Sequence, residues 1–227
     1  IRLGKTGLGK GWGASAFYYK QKREDTRGGW LLLSPASLAF AGVVIVLAVL
    51  WRSAGLLTLF GLSVYLQIFS TGQNRLSREL GKPFLYLVPE PAFAKLLQCL
   101  RALLPSAGME AVVTFVPVCL LLGLGPGSML ACVFSRLTYA LLFQSGDLLV
   151  ERFWSGANTT LLMVLYLLIL LLLTLPGVIV GTLLFGYFRL PGGAVGGLIA
   201  AGIVNLPVAL LLLYSLRNML EDTEYTR

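Results

Sequence analysis

Long apolar runs separated by short polar breaks dominate the pattern of this sequence. Residues 30–50 form 21 consecutive positions without a charge, which is enough to cross a hydrocarbon core about 30 Å thick. Further runs occupy residues 54–70, 109–124, 129–143, 161–175 and 194–214. We therefore predict an all-α, polytopic membrane bundle of about six transmembrane helices, in which the fourth run contains an internal charge, Arg136.

The composition supports a membrane protein and excludes a water-soluble enzyme. Of the 227 residues, 57% are hydrophobic and 12% are charged, and the mean hydropathy is +0.82. Soluble domains carry about 25% charged residues, and a soluble fold of this size has no way to bury so much apolar surface. The chain has no histidine, and its three cysteines are isolated, so we expect small apolar fillers there rather than metal ligands.

The distribution of basic residues predicts the orientation of the chain. The net charge is +8, and 15 of the 18 Lys and Arg residues fall on one side if the N-terminus is cytoplasmic. Only Arg52 and Arg189 fall on the other side, and Arg136 lies within a run. Because cytoplasmic loops carry the excess of basic residues, both termini are predicted to be cytoplasmic. The excess charge suits contact with anionic membrane lipid, and we expect no nucleic acid partner.

These assignments divide the chain into three parts. Residues 1–29 form a cytosolic N-terminal segment, residues 30–214 the six-span domain and residues 215–227 a cytosolic tail. The N-terminal segment contains aromatic residues followed by mixed charges. We predict a short amphipathic helix over residues 14–27 in the membrane interface, with Phe17 and Tyr18 among the headgroups. The alternative is a solvated basic linker.

A cytosolic loop over residues 71–106 is the longest polar stretch inside the six-span domain. Pro83, Pro89 and Pro91 prevent a helix through its centre, whereas residues 92–104 can be helical. Four residues form an apolar stripe along this predicted helix: Phe93, Leu96, Leu97 and Leu100. The helix either lies on the membrane or presents a surface to a cytosolic partner.

Polar residues within the apolar runs are candidates for function, because charges in lipid are costly. At 100° per residue the fourth run carries a polar stripe of four side chains: Arg136, Tyr139, Gln144 and Asp147. The stripe either lines a pathway or joins an inter-helix hydrogen-bond network. Alternatively Arg136 snorkels to the outer surface and Asp147 belongs to the inner one.

Glu110 is a fifth candidate, at the cytosolic end of the third run. An acidic side chain suits a helix N-terminus, so capping explains it. Pairing with Arg101 or Arg152 is a further possibility.

Small residues recur in the last two runs at G-x-x-x-G spacing, which predicts close helix packing. The residues are Gly177, Gly181, Gly193 and Gly197. Between them, residues 175–193 are bracketed by Pro-Gly pairs. This piece either extends the fifth span with a kink or breaks into short helices dipping into the outer leaflet, and we favour the second because a helix over 161–188 would be about 42 Å long.

Two segments resemble a known family. Residues 10–20, KGWGASAFYYK, and residues 79–91, ELGKPFLYLVPEP, are similar to bacterial proteins of the "putative ABC exporter" family. The whole plan resembles the membrane half of a type-2 ABC exporter, and in that family these motifs lie in the second half of a chain about twice as long. The resemblance implies the C-terminal six-span half of an exporter permease in the bacterial plasma membrane.

The same resemblance implies the partners. The permease would bind no cofactor itself, ATP being bound by a separate ATP-binding ABC subunit, and would work with another six-span half from the same or a related chain. Residues 89–101 would be the coupling helix, with Glu90, Phe93, Lys95 and Gln98 as contacts to the ATPase. No substrate is implied.

Two other functions remain open from the residues alone. An integral-membrane enzyme acting on lipid would have only Glu110, Arg136 and Asp147 as polar groups, and the lack of histidine weighs against it. No residue pattern indicates a catalytic or metal site. A structural or signalling membrane subunit that transports nothing is the remaining alternative.

Overall fold

The described part of the chain is helical throughout. The computed structural model describes residues 13–28, 33–71, 90–154, 159–187 and 192–217. Seven α-helices follow in chain order: α1 Ser15–Gly28, α2 Pro35–Leu50, α3 Gly55–Thr71, α4 Ala92–Leu121, α5 Pro126–Trp154, α6 Thr159–Thr182 and α7 Gly193–Ser215. A 3-10 turn, Arg52–Ala54, joins α2 to α3, and a π-helical turn, Leu183–Tyr187, extends α6. No strand occurs within these ranges, which confirms the all-α prediction.

Five helical segments are long and apolar enough to cross a membrane. They are Arg52–Ser70, Phe93–Leu121, Pro126–Trp154, Thr160–Tyr187 and Gly193–Ser215. The shorter α2 is also apolar, and its 16 residues measure about 24 Å. Each of the six apolar helices overlaps one of the six apolar runs, so the runs predicted which parts of the chain form apolar helices.

Helix α5 lies at the centre of the bundle and α6 at its edge. Helix α5 packs against α3, α4, α6 and α7, and it is the most buried of the five long segments, whereas α6 is the least buried. Large apolar side chains cover the outer face of α6, among them Leu168, Leu171 and Leu172. Because a contiguous apolar face of this length is not stable in water, lipid is the environment that suits it.

The turn between α4 and α5 is set by a glycine after the end of α4. Gly123 has a φ of +67°, which only glycine adopts without strain. The backbone N–H of Leu124 donates to the carbonyl of Cys119 at 2.9 Å, as in a Schellman cap. The chain therefore reverses within four residues and starts α5 at Pro126 antiparallel to α4.

The structure corrects the prediction of a separate coupling helix within the loop 71–106. Helix α4 runs without interruption from Ala92 to Leu121 and so joins the predicted cytosolic helix to the third span. Pro105 lies inside it and removes only the one backbone hydrogen bond to residue 101. Packing of the first turns of α4 against α1 compensates for that loss. Residues 72–89, with two of the loop prolines, lie outside the described residues.

The structure also corrects the favoured interpretation of residues 175–193. Helix α6 passes through Pro176 to Thr182 and continues as the π-helical turn to Tyr187, so the piece extends the fifth span rather than forming short dipping helices. Close contact with α7 holds the helix together across the proline. A continuous helix of this length exceeds the thickness of the hydrocarbon core, and tilting of a helix in the bilayer accommodates such an excess. Residues 188–191 are outside the described residues.

Helix α1 occupies the position of the predicted interfacial helix, but one of its side chains was assigned wrongly. Phe17 does not reach lipid headgroups. It is 5% exposed and packs with Leu96, Cys99 and Leu100 of α4 and Leu216 after α7. The sequence pattern gave no warning of this, because the surface that covers Phe17 comes from helices that are remote in sequence. The location of α1 in the membrane interface stays a prediction.

Candidate functional site

A buried ion pair lies between α4 and α5. The Arg136 guanidinium is 2.5 Å from the Glu110 carboxylate, and the Arg136 residue is 2% exposed. The same guanidinium donates hydrogen bonds to the carbonyl and the hydroxyl oxygen of Ser63 on α3. The amide of Gln67, one turn along α3, points at the Arg136 carbonyl at 3.5 Å. Arg136 therefore connects three helices and does not snorkel to a surface.

This network is costly to form and costly to break. Two charges leave water when the bundle forms, which costs free energy of solvation. Their mutual attraction offsets this cost only if further hydrogen bonds satisfy the remaining donors and acceptors of the two side chains. Ser63 provides these hydrogen bonds to Arg136, because both its backbone carbonyl and its hydroxyl oxygen accept from the guanidinium. The arrangement therefore favours one rotation and one depth of α3, α4 and α5 relative to each other.

Glu110 differs from its predicted role at a helix start. Helix α4 begins at Ala92, so Glu110 lies about 27 Å along it, in the helix interior. Neither expected alternative partner binds it: Arg101 stacks on Tyr18, and Arg152 donates to the Ser215 carbonyl at 3.1 Å. The prediction failed because the cytosolic helix and the third span are one helix, which moves Glu110 away from any terminus.

A second polar group lies between α5 and α7. Tyr139 is buried against the rings of Phe60 and Phe143. Asn205 of α7 is fully buried, and its amide is close enough to interact with the Tyr139 hydroxyl. Within the described part of the chain, however, that amide makes no hydrogen bond of ordinary geometry. Sequence reasoning missed Asn205, although an amide in the middle of an apolar run was a sufficient signal.

The predicted polar stripe on α5 is divided among different neighbours. Arg136 faces α3 and α4, Tyr139 faces Asn205, and Asp147 lies on the side of α5 near Tyr166 of α6. Gln144 is buried between them. The stripe spreads over about 140° of the helix surface, which is wide enough to meet several packed helices. A role of these residues in a transport pathway stays a prediction.

Helices α6 and α7 approach closely at glycines. A Cβ at Gly181 would lie 2.8 Å from the carbonyl oxygen of Gly197, and a Cβ at Gly177 would overlap the Asn205 amide. Gly193 does not belong to this contact: it has a φ of +50° and open space around it, at the start of α7. Its place in the predicted packing motif was wrong, because it serves the turn into the helix.

Four helices meet in a compact junction around the first turns of α4. Helices α1, α4, α5 and α7 contribute a second apolar cluster: Phe17, Leu96, Cys99, Leu100, Leu148, Leu213 and Leu216. This junction contains the first turns of α4 and so the candidate coupling residues. The predicted apolar stripe is therefore split, since Leu96 and Leu100 are buried in it while Phe93 and Leu97 are exposed.

The four candidate coupling residues differ in accessibility. Phe93 is exposed and Gln98 half-buried, whereas Lys95 is only 6% exposed. Glu90 is exposed at the start of α4, where its carboxylate lies against Gly13. Glu90, Phe93 and Gln98 are therefore available to a partner as they stand, and Lys95 reaches one only if its side chain leaves the junction.

The described residues contain no group of three His, Cys, Asp or Glu side chains arranged to hold a metal ion. Cys99, Cys119 and Cys132 are buried among apolar side chains, and none of the three forms a disulfide bond within the described residues. They fill the interior as expected from the sequence.

Comparison with known proteins gives one match. A family model described as "Putative ABC exporter" matches residues 5–224, nearly the whole chain. No match was found among the curated proteins or the solved structures.

Proposed function

Because the chain belongs to the "putative ABC exporter" family, as a transporter-type membrane subunit rather than a classical enzyme, we propose that it is the permease of an ABC-type exporter. It moves an unidentified substrate with ATP hydrolysed by a separate ATP-binding subunit. In this proposal it pairs with another six-span half, from the same or a related chain, and carries no nucleotide itself.

One observation supports this function most strongly. Helix α4 is a single 30-residue helix of about 45 Å, long enough to reach from a cytosolic docking surface into the bilayer. Its start is packed on α1, α5 and α7, and its middle is tied to α3 and α5 through Glu110 and Arg136. A displacement of its inner end by an ATPase would therefore be transmitted to several spans together.

The proposal includes six spans with cytoplasmic termini. Helix α2 completes the six as the first span along the chain, although it measures only about 24 Å, because the sequence immediately before it is also apolar. The orientation rests on the bias of Lys and Arg residues in the sequence. On this orientation the Arg52–Ala54 turn is outside and the start of α4 is inside.

Accessibility labelling tests that orientation. We expect a membrane-impermeant maleimide to label an Arg52→Cys variant in intact cells, and a Glu90→Cys variant only after permeabilisation. Both positions are exposed, and the three native thiols are buried, so the background from the unmodified chain should be low. Labelling of Glu90→Cys in intact cells would reject the orientation and the docking surface with it.

Capture of the ATPase tests the function. We expect the chain, purified from its native membrane in mild detergent, to retain an ATP-binding subunit and its ATPase activity. A Phe93→Glu variant should retain roughly tenfold less, because a charge replaces an exposed aromatic side chain at the centre of the proposed contact.

Phe153→Glu is the matched control. Phe153 is exposed near the end of α5, on the same predicted side of the membrane as residues 90–98 but on a different helix. Equal retention of ATPase by the original chain and both variants would assign docking to another surface. Absence of any ATPase from every preparation would favour the non-transporting structural subunit.

A further inference from the structure

Two cations from different helices meet at one aromatic ring near the junction around the first turns of α4. The Arg101 guanidinium of α4 lies 5.3 Å from the centre of the Tyr18 ring, and the Lys22 ammonium of α1 lies 6.0 Å from the same centre. Both cationic side chains are exposed, and Tyr18 is half-buried. Packing of Phe17 against α4 fixes this arrangement, since it places Tyr18 next to Arg101.

Neither cation is neutralised within the described residues. The ion pair found there joins Arg136 to Glu110 and involves neither Lys22 nor Arg101. The two described acids nearest to Arg101 along the chain are engaged elsewhere, since Glu110 pairs with Arg136 and Glu90 lies against Gly13 before the start of α1. Two exposed like charges gathered at one ring repel each other, and an anion placed between them relieves that repulsion.

The location determines which anion suits the patch. Helix α1 precedes the first apolar helix by a short connection, so the patch lies where the chain enters the bilayer. Tyrosine rings are favoured at the level of the headgroups, and the cytoplasmic leaflet supplies anionic phospholipids. An arginine also binds a phosphate through two parallel hydrogen bonds, which suits a phosphodiester.

We propose that Tyr18, Lys22 and Arg101 form a binding site for the headgroup of an anionic phospholipid, such as phosphatidylglycerol, at the inner face. The phosphate is held by Arg101 and Lys22, and the Tyr18 ring packs against the glycerol portion. The bound lipid links α1 to the inner end of α4. This site does not require the chain to be an exporter, but its place at the inner face rests on the orientation proposed above.

Native mass spectrometry of the full chain, with counted binding of phosphatidylglycerol and phosphatidylcholine, tests the site. For the unmodified chain we expect tighter binding of phosphatidylglycerol. A Lys22→Gln/Arg101→Gln variant should bind it roughly 10- to 30-fold more weakly, and each single variant about fivefold more weakly. Tyr18→Ala should also weaken binding, whereas Tyr18→Phe should retain it, since the ring and not the hydroxyl makes the contact.

An Arg52→Gln variant is the control for the single substitutions, because it removes one charge at an exposed position in the turn between α2 and α3. We expect its phosphatidylglycerol binding to stay within about twofold of the original. Unchanged phosphatidylcholine binding and an unchanged melting temperature show that each variant is folded. If the control variant loses as much phosphatidylglycerol binding as the patch variants do, the proposed site is wrong, and the lipid responds only to the overall positive charge of the chain. If glycerol 1-phosphate competes as well as the lipid does, the site binds soluble phosphates and the lipid assignment is wrong.

Discussion

An Arg136→Met variant is expected to lose about 3–5 kcal/mol of unfolding free energy. Methionine fills a similar length, but it leaves the Glu110 carboxylate without its partner in a largely buried position, and it leaves Ser63 without a donor. An uncompensated buried charge costs more than the attraction that the pair contributed. Reversible denaturation in mixed micelles, with the fraction of helix as the signal, measures the change.

Two further variants isolate the ion pair from general effects of the substitution. Arg136→Met combined with Glu110→Gln should recover part of the loss, because no charge is then left buried. Arg52→Met makes the same chemical change at an exposed position and should alter stability by no more than about 0.5 kcal/mol. If Arg136→Met and Arg52→Met are equally stable, the network does not hold the helices together.

The members of this network were visible in the sequence, but their pairing was not. Arg136 and Glu110 stand out as charges in apolar runs, where any ionisable residue is unusual. Their contact depends on the relative rotation and depth of two helices, which periodicity within one helix does not specify. Ser63 gave no signal at all, because a small hydroxyl residue is common in spans and its bond to Arg136 comes from the helix opposite.

The apolar runs predicted the positions of the helices better than their ends. The predicted cytosolic helix ends at residue 104 and the fifth apolar run ends at residue 175, each just before a proline, yet α4 and α6 pass through both prolines. A proline costs a helix one hydrogen bond and a local kink, and tertiary packing on either side is sufficient to offset that. The contacts responsible, of α4 with α1 and of α6 with α7, join segments remote in sequence. Local signals therefore do not include them.

A Gly181→Leu variant is expected to cost about 3 kcal/mol by separating α6 from α7. Even a single Cβ at this position would lie 2.8 Å from the Gly197 carbonyl oxygen and 3.6 Å from the Ala201 Cβ. The nearer neighbour is backbone, which has no rotamer to adopt, so the helices have to move apart along the contact. Because α6 is the least buried of the long segments, it has few other contacts to hold it in place. Denaturation in mixed micelles again provides the measurement.

Gly186→Leu is the matched control for the helix-separation mechanism. It lies one and a half turns further along the same helical segment, is exposed, and has open space where its Cβ would be. The same loss of glycine and the same gain of a leucine there should change stability by no more than about 0.5 kcal/mol. A Gly181→Ala variant should fall between the two leucine variants, because its methyl group makes the backbone clash without the longer side chain. Equal stability of Gly181→Leu and Gly186→Leu would show that the close approach of α6 and α7 is not needed for the fold, and the helix-packing role of Gly177 and Gly181 would be lost with it.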